Sequence, residues 1–247
     1  FVRADLGNLA RLAQELLRPR LLHITTNGFL TGRIADFCAA RDPRTPLAVL
    51  VSVDGMEAKH NQVRGRATAW QAVTTTLKEL APQRRAWNLR LAVNQTIVDA
   101  EGLEQYRQLK TFLAPLGVAH HVVFAYDASA TYSLKAAGRV AASQIGRFTS
   151  FGALDPAELA RFLDEEEPDT ARLPLPERAA KRYYLRGIRS RLTGGRDAPQ
   201  PRCVALNAHL RLYPNGDVPV CQFNARRVGN LRRQTFEEVW FGPAIAP

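Results

Sequence analysis

The chain has 247 residues, with 34 Lys and Arg against 23 Asp and Glu, so its formal charge is +11. A hydrophobic content of 46% supports a packed core and excludes a disordered or collagen-like chain, and no apolar run reaches the roughly 18 residues of a membrane span. No secretory signal opens the sequence, and three cysteines, an odd number, point to reduced thiols and a cytoplasmic location rather than to a disulfide framework.

The predicted elements of the first part alternate. Leu6, Leu9, Ala13, Leu16 and Leu17 recur at helical spacing until Arg18-Pro19 ends the pattern. Leu21 to Thr25 reads as a short buried strand closed by Asn27-Gly28, and a helix over Leu30 to Ala40 follows. Within it Cys38, between Phe37 and Ala39, reads as core. The run Leu47 to Val51 is a strand by its length and β-branching, residues 66 to 80 are helical, and Leu89 to Ile97 is a strand. Leu103 to Leu116 is a helix and Val118 to Ala125 a strand. Strict alternation implies parallel strands joined by crossover helices, in an open sheet or a barrel.

The remainder changes style. Ala157 to Asp164 is helical, and Leu173-Pro174-Leu175-Pro176-Glu177 interrupts helix and sheet alike. Arg178 to Leu192 is an amphipathic helix with Ala179, Tyr183, Ile188 and Leu192 on its apolar side. Two short strands are expected to flank the turn Pro214-Asn215-Gly216-Asp217, and Thr235 to cap a last helix, Phe236 to Phe241, with Glu237 and Glu238 in its first turn. Charge follows the same division. Residues 1–177 hold 21 basic and 19 acidic side chains, residues 178–233 hold 13 and 2, so the excess belongs to one segment.

Three predicted strand ends carry polar clusters: Thr25-Thr26-Asn27-Gly28, Ser52-Val53-Asp54-Gly55 and Asn94-Gln95-Thr96. Ligands bind at the carboxyl ends of parallel strands, so these clusters would converge on one mouth. Ser52 and Asp54 suit a sugar's hydroxyls, and Arg64, in His60-Asn61-Gln62-Val63-Arg64-Gly65, suits a carboxylate. As isolated signals, Asn-Gly and Asp-Gly are also ordinary turns. Cys203 and Cys221 form a second constellation, with twelve residues from Cys203 to Gly216 and four from Gly216 to Cys221. A hairpin turning at Gly216 would bring both thiols onto one ribbon, to serve as metal or iron-sulfur ligands amid thirteen cations, or simply to pack as small hydrophobes.

The series Leu22 to Leu30, Val51-Ser52-Val53-Asp54-Gly55 and His60 to Gly65 resembles the middle of a radical S-adenosylmethionine (SAM) enzyme. The tail, Cys203 through Gly216 to Cys221, then Val228-Gly229-Asn230-Leu231 and Phe236-Glu237-Glu238-Val239-Trp240, resembles the opening of that family's SPASM or twitch extension. The resemblance implies an incomplete parallel (β/α) barrel over residues 1–150, a helical connection over 151–200, and the start of a SPASM-like module over 201–247. It implies SAM, a [4Fe-4S] cluster and an auxiliary iron-sulfur cluster as cofactors, and hydrogen abstraction by a 5′-deoxyadenosyl radical.

By resemblance Thr26, Asn27, Ser52, Asp54, Arg64 and Asn94 would bind the cofactor, and Cys203 and Cys221 would ligate the auxiliary cluster. The implied partners are a peptide or protein substrate, of acidic character to suit the basic segment, and an electron donor such as flavodoxin or ferredoxin. No Cys-X3-Cys-X2-Cys loop occurs in the chain, which opens on Phe1 and carries its only methionine at Met56. The reading is therefore of a piece cut at both ends, not active alone. A cluster-less descendant binding peptides or nucleotides is the alternative. A nucleic-acid reading of the Arg-rich helix has no accompanying motif and is set aside.

Overall fold

The computed structural model describes residues 1–125, 154–172, 175–192, 204–221 and 224–245. The chain divides into two compact units, Phe1–Ala125 and Tyr126–Pro247.

In the first unit helix α1 (Leu6–Leu12) runs on into a wider π-helical turn, Ala13–Leu17, which stops where Arg18 takes a left-handed φ of 47° ahead of Pro19. The leucines of this segment repeat as expected, yet Leu9, Leu12, Leu16 and Leu17 are exposed and only Ala10 is buried. Strands β1 (Leu22–Thr26), β2 (Leu47–Ser52), β3 (Leu89–Ile97) and β4 (Ala119–Phe124) then lie side by side in chain order, all parallel. Parallel neighbours need a crossover rather than a tight turn. Helices α2 (Thr31–Ala40), α4 (Ala69–Leu80) and α5 (Ala100–Leu113) provide them.

Residues 57–64 were not expected to be helical. They form α3 (Glu57–Arg64), closed by Gly65 at φ 61°. Ile34 and Cys38 of α2, Val51 of β2, Leu77 of α4, Val93 of β3 and Leu109 of α5 belong to one buried cluster. The helices therefore share one face of the sheet. Burial alternates along β2 and β3, so the residues between the buried ones stand on the opposite face. The α/β class and the parallel sheet are as expected.

In the second unit α6 (Pro156–Glu166) starts with Pro156 behind an Asp155 side chain that accepts the Ala157 amide. Helix α7 (Leu175–Leu192) begins three residues before the expected Arg178, because Pro176 sits in its first turn, where a missing N–H costs nothing. Its buried side is also different. Leu185, Ile188 and Ser190 are buried while Ala179 and Tyr183 are exposed. Acidic residues of α6 meet the basic helix: Glu166, nearly fully buried, pairs with Lys181 at 2.9 Å, and Asp164 pairs with Arg189 at 2.5 Å.

The hairpin differs from expectation in where it turns. Strand β5 (Asp217–Cys221) pairs antiparallel with β6 (Asn224–Asn230), so Asn215-Gly216 precedes the ribbon rather than joining its strands. Tyr213 donates its amide to the Asp217 carbonyl, and Gly216, at φ 88°, donates to Tyr213. Val218, Val228 and Leu206 pack with Val239 of α8 (Phe236–Trp240), a helix closed by the full Thr235/Glu238 capping box. Hairpin and helix thus form the small module anticipated.

Candidate functional site

The end of β2 is brought into register with the interior of β3. Ser52 pairs with Asn94, and the Val53 amide donates to the Asn94 carbonyl at 3.0 Å. Both side chains are partly exposed and alternate with buried neighbours, Val51 and Val53 on β2, Val93 and Gln95 on β3. They stand together on the face away from the helices, Ser52 as the last residue of β2 but Asn94 three residues before the end of β3, so the expected cluster Asn94-Gln95-Thr96 lies inside its strand rather than at its end.

Asp54 follows at the end of β2 and is clamped by α3. The Arg64 guanidinium donates to both carboxylate oxygens, at 2.7 and 3.1 Å, and His60 Nδ1 lies 3.1 Å from Oδ2. His60 is completely buried beside Trp70, and its Nε2 has no hydrogen-bond partner. Nδ1 is also 3.1 Å from the Asp54 amide. One proton cannot serve both arrangements, and a bond donated to the charged carboxylate is the stronger. Burial alone would raise the Asp54 pKa, but the His60 hydrogen bond and the Arg64 charge outweigh it and hold the carboxyl below its usual range. The carboxylate that Arg64 grips is therefore one of this chain's own.

Thr26 and Asn27 organise the end of β1. Thr26 Oγ1 accepts the Gly28 amide at 3.1 Å and Asn27 Oδ1 the Phe29 amide at 3.2 Å. Gly28 needs to be glycine, with φ at 74° and a Cβ position only 3.0 Å from Val51 and Val73. Thr76 of α4 donates its hydroxyl to the Gly28 carbonyl at 2.6 Å. On the far side, Lys59 bridges Asp99 and Glu101, and Gln105 Oε1 accepts the Met56 amide, so α3 is tied to α5.

Sequence reasoning passed over two residues of this edge. His60 was noted only as part of a motif, and His121, the register partner of Asn94 on β4, was not singled out. Its signal lay in the pair His120-His121. In a period-2 strand the first faces the helices, where it stacks on Tyr106 with ring centres 4.6 Å apart, and the second faces away.

Among the thiols, Cys38 is buried, and burial pushes it up to about 11, which suits core and not ligation. Cys221 ends β5 opposite Asn224, half-buried, with Arg226 and Arg227 on the neighbouring strand. Cys203 lies outside the described residues. Among the described residues no three His, Cys, Asp or Glu side chains gather to hold a metal ion, and no helix is long and apolar enough to cross a membrane.

A family model matches the tail. Residues 203–246 match the SPASM iron-sulfur cluster-binding domain. Both Cys203 and Cys221 fall inside the SPASM segment, as do the Asp217 strand and the capped helix α8. Solved structures similar to the chain include a histidine-tagged anSMEcpe with bound AdoMet, at 15% identity and a TM-score of 0.47, and native anSMEcpe with bound AdoMet and Cp18Cys peptide, at 14% and 0.46. Each match covers 90% of this chain and 57% of the other, so the chain spans a little over half their length. No curated protein matches it by sequence.

Proposed function

We propose that the chain is part of a radical SAM enzyme with a SPASM extension, acting on a peptide or protein or in cofactor biogenesis. The observation that carries this reading is the SPASM match over residues 203–246, downstream of a parallel α/β unit whose polar groups stand at its carboxyl edge. In this reading residues 1–150 form the partial barrel, 151–200 the connection and 201–247 the start of the SPASM module. When bound with a [4Fe-4S] cluster, SAM supplies a hydrogen-abstracting radical. The chain's own residues bind and orient. Ser52 and Asn94 offer a hydroxyl and an amide from adjacent strands, Asp54 accepts hydrogen bonds through its own carboxylate, already fixed by Arg64 and His60, and Thr26 and Asn27 shape the turn beside them.

In the extension, Cys203 and Cys221 ligate the auxiliary cluster. The described member fits that role. Cys221 is a thiol, the donor iron-sulfur clusters take, at the end of a strand whose partner strand carries Arg226 and Arg227. The substrate is a peptide or protein of acidic character, and a flavodoxin or ferredoxin supplies electrons.

The test is anaerobic reconstitution with iron and sulfide, followed by iron and sulfide counts and visible spectra for the wild type, Cys203→Ala and Cys221→Ala. Uptake by the wild type that falls in both variants supports the auxiliary cluster. Equal iron in all three removes the ligand assignment, and no uptake by the wild type favours a cluster-less peptide- or nucleotide-binding module.

A further inference from the structure

We infer that the groove between α6 and α7 docks the substrate, taking an extended acidic segment whose carboxylates alternate along its chain and pair with Arg182 and Arg186. The inference rests on the proposed acidic peptide or protein substrate and names the residues that hold it. The groove has a volume of about 560 Å³. Among the described residues, Leu163 and Glu167 line it from the α6 side and Arg182, Tyr183, Leu185 and Arg186 from α7. The two leucines are buried at its base, while Tyr183 and both arginines are exposed.

The cations of α7 differ in whether a carboxylate already holds them. Lys181 is paired with Glu166, and Arg189 with Asp164. Arg182 commits only Nε, which donates to the Thr170 hydroxyl at 3.2 Å, and Arg186 makes no hydrogen bond or ion pair. Glu167 is the one acidic side chain in the described lining, and it forms an ion pair with neither arginine. Two guanidiniums therefore stand over an apolar base with their terminal nitrogens unused, and a guanidinium fork is the donor that best fits a carboxylate. A pair formed beside that base is screened less than one on open surface.

Spacing narrows what the pair can bind. Arg182 and Arg186 are four residues apart on α7, so they share a helix face with Cβ atoms roughly 5–6 Å apart. In an extended peptide every second side chain points the same way, at intervals of roughly 7 Å. Carboxylates at alternate positions of an extended segment thus meet both arginines at once, whereas adjacent carboxylates point to opposite sides. From Ala179 to Arg189 the lining on α7 runs about 15 Å, the length of roughly five extended residues. The groove binds and orients such a segment and takes no part in the chemistry.

Fluorescence anisotropy of the whole chain with a fluorescein-labelled peptide, Gly-Glu-Leu-Glu-Leu-Glu-Gly, tests this. Arg182→Ala and Arg186→Ala are each expected to bind it roughly three- to tenfold more weakly, with Arg186→Lys in between, since lysine keeps the charge and loses the fork. Arg161→Ala, which removes an exposed charge of α6 outside the groove, should bind as the wild type does. Glu167→Gln should bind about two- to threefold more tightly, a gain that a poorly folded variant cannot produce. The isomeric peptide Gly-Glu-Glu-Leu-Leu-Glu-Gly, with no alternate carboxylates, should bind the wild type roughly threefold more weakly. Equal weakening in Arg161→Ala and the two groove variants overturns the groove as the site, and so does a wild type that binds neither peptide. Losses with a thymidine oligonucleotide and none with the peptide would assign the groove to nucleic acid and overturn the inference. Cluster uptake is read separately: iron and sulfide bound without peptide binding overturns the groove alone, and peptide binding without cluster uptake overturns the enzyme reading and keeps the groove.

Discussion

At the scale of single residues the best-defined device is the clamp of Arg64 and His60 on Asp54. Removing the carboxylate strands two partners at once. Arg64 loses a bidentate bond and the wholly buried His60 loses the acceptor beside Nδ1. Asp54→Asn is therefore expected to lower stability by about 1–3 kcal/mol near neutral pH. The folded-state pKa of Asp54 lies below its ordinary 3.8, so its contribution is complete above that value and disappears as pH falls through the folded pKa. Urea unfolding of wild type and variant at neutral pH and again in acid checks both parts. Curves equally far apart at the two pH values would contradict the linkage.

The clamp also marks how far residue chemistry can be read in advance. Arg64 has the right chemistry for a carboxylate, and a carboxylate is what it holds. Its partner lies ten residues back, across a strand end and a helix the hydrophobic pattern did not reveal, since α3 buries only His60. A second residue-scale expectation concerns Cys38. With its thiol raised to about 11 by burial, it should resist a thiol reagent at about pH 8 while the chain is folded and react once it unfolds, as mass spectrometry of the labelled peptides would report. Native-state labelling would show that the helix face around it opens.

At the scale of elements, the four strands were legible because parallel strands buried against helices read as apolar runs bounded by turns. The C-terminal ribbon was harder. Asn215-Gly216-Asp217 carries a strong hairpin signal, and it does make a turn, but pairing is decided downstream. Val218 and Val228 must both reach Val239, and Asp217 is held by Asn215, Asn230 and Arg227 at 2.8 to 2.9 Å. No local rule encodes that choice.

Gly229 exposes the same constraint, because an added Cβ would sit 2.6 and 2.8 Å from the two Val239 methyls. Gly229→Ala should therefore destabilise the module by about 1–3 kcal/mol, and Val239→Ala in the same chain should recover part of the loss. A double-mutant cycle from thermal unfolding measures the coupling. Strict additivity would mean that α8 yields to the methyl by moving, and that the ribbon is not set against it.

At the scale of the whole molecule the question is where the +11 acts. Counted along the sequence, the excess falls in residues 178–233, which run into the SPASM match at 203–246. Counted in space, two of the α7 cations are already answered by α6, which sequence order assigns to the neutral part. Lys181 and Arg189 are paired with Glu166 and Asp164, and Glu167 lines the same groove as Arg182 and Arg186. Helices that follow one another in sequence can pack and neutralise each other, so a charge step in the sequence overstates the field outside.

The consequence is measurable on a polyanion. If α6 masks α7, the double variant Asp164→Asn/Glu167→Gln should need more salt than the wild type to elute from a heparin column. The change leaves the buried Glu166–Lys181 pair intact and strips only exposed acidic groups, so the fold should tolerate it within about 0.5 kcal/mol. Elution of both proteins at the same salt would mean that the basic helix already faces solvent at full strength. An acidic substrate would then meet the whole charge of that helix, rather than only what α6 leaves unpaired.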